Sequence, residues 1–369
     1  MKLVIDYRLA ASSTRGMARY CREITRELLQ SLSPNDEILL YVDKGMKQQF
    51  LPQNVSFRMI PTNNFIIGEQ LFIPYYLEKD NADVLWSPSN TFPLWKKQDK
   101  RYFATIHDLI FMSNALEKMS IKQKIGRVYR KFIVTKGKNL LDGCFTVSNF
   151  SKNQIENLLK INKVVVTNNC IGRFIDKVKE LRKNNFYIQN DYFFTVSGDT
   201  PSKNFNMLFE FFKTHPQYKL VVAGFTNDSF YRKLSPSNII ILPSGISDEM
   251  LIKYYIECKC FVFISKQEGF GIPILEALAC GCKIIASNTT SIPEIAGNNA
   301  RYINPTKMEE LELAISECDT LEINQESIDN TLKRYYSWKM SAKTIMDYIT
   351  KTTSDSNINQ VFTYNTSIS

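Results

Sequence analysis

Short runs of β-branched and aromatic residues alternate along the chain with longer stretches whose apolar residues recur every three to four positions. The short runs favour strands, whereas a period near 3.6 favours amphipathic helices. The first series of runs predicts strands at Lys2–Asp6, Ile38–Val42, Val84–Trp86, Tyr102–Ile106, Gly143–Val147 and Val164–Thr167. The second series predicts strands at Tyr192–Val196, Lys219–Ala223, Ile239–Leu242, Cys260–Ile264 and Lys283–Ala286. Helices are predicted between the runs, for example over Ala18–Leu32 and Met207–Lys213.

This alternation is typical of α/β proteins, in which helices cover both faces of a parallel sheet. Two series predict two Rossmann-like halves, and 369 residues suit two domains of average size. The charged stretch Gly172–Asp191 has no strand character and marks the predicted join. We expect an N-terminal domain over residues 1–175, a C-terminal domain over 190–353 and a polar, disordered tail over 354–369.

Composition narrows the class of protein. The chain is 44% hydrophobic and 22% charged, as globular proteins are, and it has no apolar run of the roughly 18–20 residues that span a bilayer. Its first residues, MKLVIDYRLA, read as a strand followed by polar positions rather than as a secretory signal. With eight cysteines, two histidines and no C-x-x-C, zinc-type spacing is missing. We therefore expect a soluble, cytoplasmic protein with buried, reduced thiols.

Net charge points to an anionic partner. The formal charge is +9, which favours nucleic acid, an anionic membrane surface or phosphorylated small molecules. No zinc finger or RNP-type motif is visible, so we expect no nucleic acid partner. Residues 118–138 hold eight Lys or Arg and no acid, with apolar residues at helical spacing. Two interpretations stay open for this segment: an interfacial helix that binds anionic lipid, or a helix packed on its own sheet with a solvated basic face.

The stretch EGFGIPILEALACG, residues 268–281, carries two glutamates among glycine, proline and apolar residues. A carboxylate is costly to bury there unless a partner satisfies it. The stretch follows a predicted strand, and Pro273 suits the start of a helix with Glu276 in its first turn. Ligands of such sheets bind beyond the carboxyl ends of strands, and free N–H groups at a helix start suit a phosphate or a sugar hydroxyl. We therefore predict that Glu268 and Glu276 accept hydrogen bonds from ligand hydroxyls.

The same residues resemble a known family. SKQEGFGIPILEALACGCKIIAS, followed by SIPEIAG, is similar to the E-x7-E signature of family 4 glycosyltransferases. These enzymes have the GT-B fold, an α/β architecture of two Rossmann-like domains facing a central cleft. The resemblance implies that Glu268 faces the transferred sugar and that Glu276 binds the ribose of the nucleotide. It also implies that the last helix, about 338–353, crosses back to the N-terminal domain.

Further matches imply the remaining contacts to the donor. Gly16 lies where the family's first loop approaches the donor diphosphate, and His107 of TIHDLIF lies where the family contacts the sugar. Lys203 would bind phosphate, and the resemblance makes it catalytic together with Glu268 and His107. The resemblance implies a donor-binding set of Gly16, Ser202, Lys203, Asn204, Gly224, Ile246, Phe270, Gly271, Ile272 and Glu276.

One departure concerns the phosphates. In SGDTPSKN, Ser202 stands where the family's P-R-K-N form has arginine, and Asp199 follows Gly198, so one expected cation is missing. Candidates to replace it are Arg15, Arg19 and Arg173. No D-x-D occurs, so we expect no metal, with the charge on the leaving group stabilised by Lys203, the Gly16 backbone and the helix at Pro273.

The resemblance implies a retaining, metal-independent hexosyltransferase. It would move a mannose-, rhamnose- or glucose-type sugar from a nucleoside-diphosphate donor, with no further cofactor, to a growing lipid-linked surface glycan such as O-antigen, capsule or exopolysaccharide. Its place would be the inner face of the cytoplasmic membrane if residues 118–138 bind lipid. Two alternatives remain open: a GT-B sugar-nucleotide epimerase, and a non-catalytic partner subunit.

Overall fold

The computed structural model of the chain describes residues 1–13, 16–113, 121–184 and 187–365. Arg15 and positions 118–120 of the basic segment therefore lie outside the described residues. The contacts divide the chain into two compact units. The first holds Met1–Met112, Lys122–Asn169 and the chain from Trp338 onwards, and the second is built on Cys170–Ser337.

Seven parallel strands form the sheet in the described part of the first unit, in the order β3-β2-β1-β4-β5-β6-β7. The strands are β1 Lys2–Asp6, β2 Glu37–Asp43, β3 Ser56–Ile60, β4 Val84–Ser87, β5 Arg101–Thr105, β6 Gly143–Thr146 and β7 Val164–Val166. The helices are α1 Arg8–Ser12, α2 Gly16–Gln30, α3 Phe65–Ile67, α4 Ile73–Lys79, α5 Ile121–Gly137, α6 Asn149–Gln154 and, after the second unit, α15 Trp338–Asn365. One π-helical turn, Gly68–Phe72, joins α3 to α4.

Six parallel strands form the sheet in the described part of the second unit, in the order β10-β9-β8-β11-β12-β13. The strands are β8 Phe193–Val196, β9 Leu220–Ala223, β10 Ile239–Ile241, β11 Cys260–Phe263, β12 Ile284–Ser287 and β13 Arg301–Ile303. The helices are α7 Gly172–Asn184, α8 Phe205–Thr214, α9 Phe230–Leu234, α10 Asp248–Glu257, α11 Ile272–Ala279, α12 Ile292–Ala296, α13 Met308–Ser316 and α14 Gln325–Arg334.

Central strands of both sheets are buried on both faces. Every residue of β4, β9, β11 and β12 is buried, as expected for strands covered by helices on both sides. The α/β prediction of two Rossmann-like halves is therefore confirmed. The eleven predicted strands are all present, with ends shifted by at most one residue.

Two strands were not predicted, and both are edge strands. In β3 only Ile60 is fully buried, and β13 has three residues of which Arg301 is exposed. A strand paired on one side needs no apolar run, so its sequence carries little signal. The predicted limits of the domains and the disordered tail stay predictions, and the structure has helix as far as Asn365.

Two composition-based expectations can be compared with the structure. The eight cysteines are all buried and none forms a disulfide, so the prediction of buried thiols is confirmed, whereas their redox state stays a prediction. Among the helices of the described residues, none is both long and apolar enough to cross a membrane.

Helix α15 packs against the first unit through its apolar face. Its Tyr348 ring meets the rings of Phe103 and Phe145 edge-on at 6.2 and 5.8 Å, and Ile345 and Ile349 are fully buried. The helix also bonds to the chain before the second unit, because Ser341 Oγ donates to Asn168 O at 2.9 Å. The first unit is therefore completed by residues that follow the second unit in sequence.

Replacing Ile349 by Ala should destabilise the first unit by about 2–5 kcal/mol, because a fully buried side chain leaves a cavity. Met340→Ala on the same helix is the matched control. Its side chain is 70% exposed, so the expected change is within about 0.5 kcal/mol. Urea unfolding measures both changes, and equal stabilities of the two variants would contradict the docking of α15.

Candidate active site

The loop after β11 and the loop after β8 meet at the carboxyl edge of the second sheet. Strand β11 pairs with β8, so their following loops are neighbours. Lys203 Nζ, at the end of the 3-10 turn Pro201–Lys203, donates to Glu268 Oε1 at 2.6 Å. The structure thus brings together the two residues for which the resemblance implies contacts to phosphate and sugar. In this state the lysine and the carboxylate neutralise each other's charge.

The backbone around Glu268 is held by residues that sequence reasoning missed. Glu268 N donates to Thr290 Oγ1 at 3.2 Å, and Ser291 Oγ donates to the carbonyl oxygens of Glu268 and Phe270 at 3.2 and 3.0 Å. Thr290 takes up a left-handed conformation, with φ of 58°. The motif SIPEIAG begins at Ser291, so the sequence signal lay next to these contacts without revealing them.

Helix α11 begins after Gly271, whose φ is +100°. That conformation favours glycine and turns the chain from the loop into the helix. The helix starts at Ile272, one residue before the predicted start at Pro273. Glu276 is therefore the fifth residue of the helix. The prediction that it lies in the first turn is wrong.

Glu276 is buried, with 7% of its surface exposed. Tyr255 OH, from α10, donates to Glu276 Oε2 at 3.2 Å, and this tyrosine is another residue that sequence reasoning missed. The two residues are 21 positions apart, on different helices, so no local pattern links them. The tyrosine hydroxyl therefore holds the buried carboxylate in one orientation.

The remaining predicted contacts of the second unit lie on the same edge or on loops beside it. Asn204 is buried and its Nδ2 donates to Ile264 O and Pro305 O at 3.2 and 2.7 Å, so its amide group holds the loops together. Gly224 has φ of +100°, and a Cβ there would lie 2.4 Å from Ser197 O. Ile246 is half-buried just before Ser247, the residue that caps α10. The role of each as a donor contact stays a prediction.

His107 lies in the first unit, two residues after β5. It is buried, its backbone N donates to Asn90 Oδ1 at 2.6 Å, and its Nε2 lies 2.9 Å from Pro88 O. Since a carbonyl oxygen only accepts hydrogen bonds, Nε2 carries the ring proton, and Nδ1 can accept a hydrogen bond. Burial lowers the pKa of His107 to about 4, so the ring is neutral at physiological pH. Gly16, the other predicted contact of this unit, is the first residue of α2 and is exposed.

A buried charged cluster lies beside the His107 loop, and the sequence analysis did not find it. Arg8, just after β1, donates from Nε and Nη2 to the two oxygens of Asp6 at 2.8 Å each. Its Nη2 is also 3.9 Å from Oε1 of Glu69, in the π-helical turn. Glu69 is fully buried and accepts hydrogen bonds from Thr91 Oγ1 at 2.6 Å and from the hydroxyl of Tyr129 in α5.

No metal-type cluster is visible in the residues that the structure describes. Nowhere among them are three His, Cys, Asp or Glu side chains gathered as metal ligands would be. Metal independence itself stays a prediction.

The part of the chain that carries this site is similar to known glycosyl transferases. Residues 176–334 match the family model described as "Glycosyl transferases group 1". The serotype-specific mannosyltransferase WbdA of Escherichia coli is 32% identical over 117 residues, which cover 30% of this chain and 14% of WbdA. The O-antigen chain mannosyltransferase RfbU of Salmonella typhimurium is 23% identical over 289 residues, which cover 75% of this chain and 76% of RfbU. This chain thus matches only a minor part of WbdA.

Solved structures agree on the fold. Sucrose-phosphate synthase from Thermosynechococcus elongatus superposes with a TM-score of 0.70 at 12% identity, covering 95% of this chain and 98% of that one. HepE of Anabaena, solved in complex with UDP-glucose, superposes with a TM-score of 0.66 at 14% identity, covering 95% and 100%. The GT-B fold is confirmed, as is the predicted similarity to bacterial polysaccharide glycosyltransferases. Assignment to family 4 in particular stays a prediction.

Glu69 should make stability depend on pH. Burial, with Asp6 nearby, raises its pKa to about 7, although hydrogen bonds from Thr91 and Tyr129 and the charge of Arg8 act in the opposite direction. The folded state therefore holds this proton at pH values where the unfolded state, with a pKa near 4.5, has lost it. The stabilisation is complete below pH 4.5 and is lost as pH rises through about 7.

Urea unfolding of the wild type and of Glu69→Gln at about pH 5 and pH 8 measures this effect. The wild type should lose on the order of 3 kcal/mol relative to the variant between the two pH values, because each unit of pKa shift corresponds to about 1.4 kcal/mol. A stability difference that is the same at both pH values would show that Glu69 does not titrate in this range.

Proposed function

We propose that this chain, with its group 1 glycosyl transferase domain at residues 176–334, is a glycosyltransferase that moves a hexose from a nucleoside-diphosphate sugar to a growing glycan. The observation that carries the proposal is the cluster at the start of α11. There a lysine, a paired carboxylate and a second, buried carboxylate lie on neighbouring loops and the helix that follows. These groups correspond to what a sugar diphosphate presents: phosphate oxygens that need a cation, and hydroxyls that need acceptors.

Each group has one role in this proposal. Lys203 stabilises the charge that develops on the departing diphosphate, together with the backbone N–H groups at the start of α11. Once the bound donor has displaced Lys203 from Glu268, the Glu268 carboxylate accepts a hydrogen bond from a hydroxyl of the transferred hexose. Glu276, held by Tyr255, accepts the ribose hydroxyls.

The reaction we propose retains the configuration of the sugar and needs no metal. The bond from the anomeric carbon to the diphosphate breaks, and the acceptor hydroxyl attaches on the same face. The departing phosphate takes the hydroxyl proton, so no carboxylate or histidine has to act as the base. His107, neutral and with Nδ1 able to accept, fits a contact to a sugar hydroxyl rather than a cationic role.

The names of the relatives favour a mannose-type sugar and a surface polysaccharide. WbdA and RfbU are named as mannosyltransferases, and RfbU as an O-antigen chain enzyme. HepE was solved with UDP-glucose, a nucleoside-diphosphate sugar. We therefore propose a lipid-linked O-antigen, capsule or exopolysaccharide glycan as the acceptor, with mannose, rhamnose or glucose as the sugar that is transferred.

Helix α5 supports contact with an anionic membrane surface. Ile125, Val128 and Phe132 lie on one side of it and are 57%, 65% and 52% exposed. Lys124, Lys131 and Lys136 of the same helix are also exposed, whereas Ile133 and Val134 pack into the core. An exposed apolar stripe with flanking lysines is typical of an interfacial helix and favours this interpretation over a merely solvated face.

The segment from α3 to α4 also carries exposed apolar side chains. Gln70 Nε2 donates to the hydroxyl of Tyr129 in α5 at 2.8 Å, which holds the segment from α3 to α4 against that helix. On this segment Leu71 and Tyr75 are 64% and 57% exposed. Arg127 is buried and its Nε donates to Phe111 O at 3.0 Å, so it belongs to the core of the unit rather than to the proposed membrane contact.

Incubation with donors labelled in the sugar tests the activity. Wild type should transfer label to a glycan acceptor, whereas Glu268→Gln should lose most of the transfer but still bind the free nucleoside diphosphate, because its proposed partner is the sugar. Chromatography of the products and calorimetric titration measure the two properties.

Other products would decide against the proposal. An epimerised donor without transfer would identify an epimerase, and no conversion of any donor would identify a non-catalytic subunit. Loss of nucleotide binding in Glu268→Gln would contradict the division of roles between the two glutamates. Activity that EDTA abolishes and magnesium restores would contradict the metal-free reaction.

Flotation with anionic vesicles tests the membrane contact. Wild type should float at low salt and be released at high salt, since each lysine near the surface contributes about 1 kcal/mol and this attraction is screened. The variant Lys124→Gln, Lys131→Gln, Lys136→Gln should stay in solution. Lys213→Gln, Lys253→Gln, Lys307→Gln, an equal loss of charge from exposed positions of the second unit, should float as the wild type does. Equal flotation of all three proteins would show that the basic face of α5 is solvated and makes no membrane contact.

A further inference from the structure

The phosphate-binding edge of the second unit is short of positive charge. Of the segment Ser197–Asn204, only Lys203 is a cation, and its Nζ is already bonded to Glu268. Asp199 adds a negative charge and accepts a hydrogen bond from Ser229 Oγ at 2.6 Å. A diphosphate, which carries at least two negative charges, would therefore meet a site with no net positive charge from this segment.

Lys266 lies next to this segment although it is far away in sequence. Its backbone N donates to Ser202 O at 2.7 Å, and the following residue, Gln267, donates to the same oxygen at 3.4 Å. The loop after β11 is thus bonded directly to the residue that stands where the family's pattern has arginine. The side chain of Lys266 starts from this point and is exposed.

The charge of Lys266 is not neutralised by a neighbour. Among the described residues, no carboxylate forms an ion pair with it, whereas Lys203 has Glu268. Its backbone is hydrogen-bonded on both sides: Lys266 N donates to Ser202 O, and Lys266 O accepts from Thr289 Oγ1 at 3.4 Å. The same hydroxyl lies 3.3 Å from Ser265 O. An exposed lysine on a fixed backbone keeps a mobile ammonium group within one side-chain length of the carbonyl of Ser202.

The arginines of the second unit have other partners. Arg232 donates to four backbone carbonyls, those of Phe225, Thr226, Ile241 and Leu242. Arg182 Nη2 donates to Cys280 O at 2.7 Å. Arg173, a candidate from the sequence, also has a partner.

We propose that Lys266 is the second cation of the diphosphate site and takes the place of the arginine that Ser202 replaces. The inference rests on the proposed function, since it assumes a diphosphate-bearing donor. When the donor binds, its phosphate oxygens contact Lys266 and compete with Glu268 for Lys203. Glu268 is then free to accept a sugar hydroxyl.

Binding of diphosphates to Lys266→Met tests this assignment without requiring turnover. Calorimetric titration would use UDP, GDP, dTDP and ADP, their parent nucleosides, and inorganic pyrophosphate, which has no base. The affinity of the variant for pyrophosphate and for the best nucleoside diphosphate should fall about tenfold, as expected for one charge-assisted contact. Its affinity for the nucleoside should not change, and Lys266→Arg should retain most of the affinity for diphosphates.

Lys213→Met is the matched control. It removes one exposed positive charge of the same unit, but from the far end of α8, at the opposite edge of the sheet. This variant should bind all ligands as the wild type does. Equal tenfold losses in both variants would show a general charge effect and overturn the proposal, as would wild-type affinity of Lys266→Met for pyrophosphate. A wild-type protein that binds no diphosphate at all would overturn the proposed function together with this inference.

Discussion

Both halves of this molecule depend on one constraint of parallel sheets: all strands end at the same edge. Buried on both faces, the strands tolerate few polar side chains along their length, so the polar chemistry collects where they end. Asp6 closes β1 and His107 follows β5 in the first unit, while Lys203 and Glu268 follow β8 and β11 in the second. Residues far apart in sequence thus become neighbours because the strands before them pair.

A carboxylate placed at such an edge must be stabilised by a hydrogen-bond donor or a cation. Glu268, near the surface, has a lysine; Glu276, inside α11, has a tyrosine hydroxyl. Glu69 has two hydroxyls and shares an arginine with Asp6, which does not suffice to keep its pKa in the usual range for a carboxylate. In the proposed reaction the donor displaces Lys203 from Glu268 and its ribose contacts Glu276, whereas Glu69 is fully buried.

The sequence predicts the architecture because burial on two faces leaves dense apolar runs, and it predicts the glutamates because a local motif surrounds them. It does not predict β3 or β13, whose exposed edges carry no such runs. Nor does it predict Tyr255 beside Glu276, or Tyr129 beside Glu69 at a separation of 60 residues, because these contacts arise only from the packing of helices. The helix start at Ile272 rather than Pro273 has a local cause, the left-handed Gly271.

The buried cysteines can be used to measure how often each unit of the molecule opens. All eight thiols are buried, and burial raises the pKa of Cys21 and Cys144 in the first unit and of Cys260 and Cys280 in the second. A thiolate-directed alkylating reagent reaches such a group only while the surrounding structure is open. The rate at which each cysteine is alkylated in the native protein therefore measures how often its own unit opens, and mass spectrometry of the peptides would separate the two units without any engineered label.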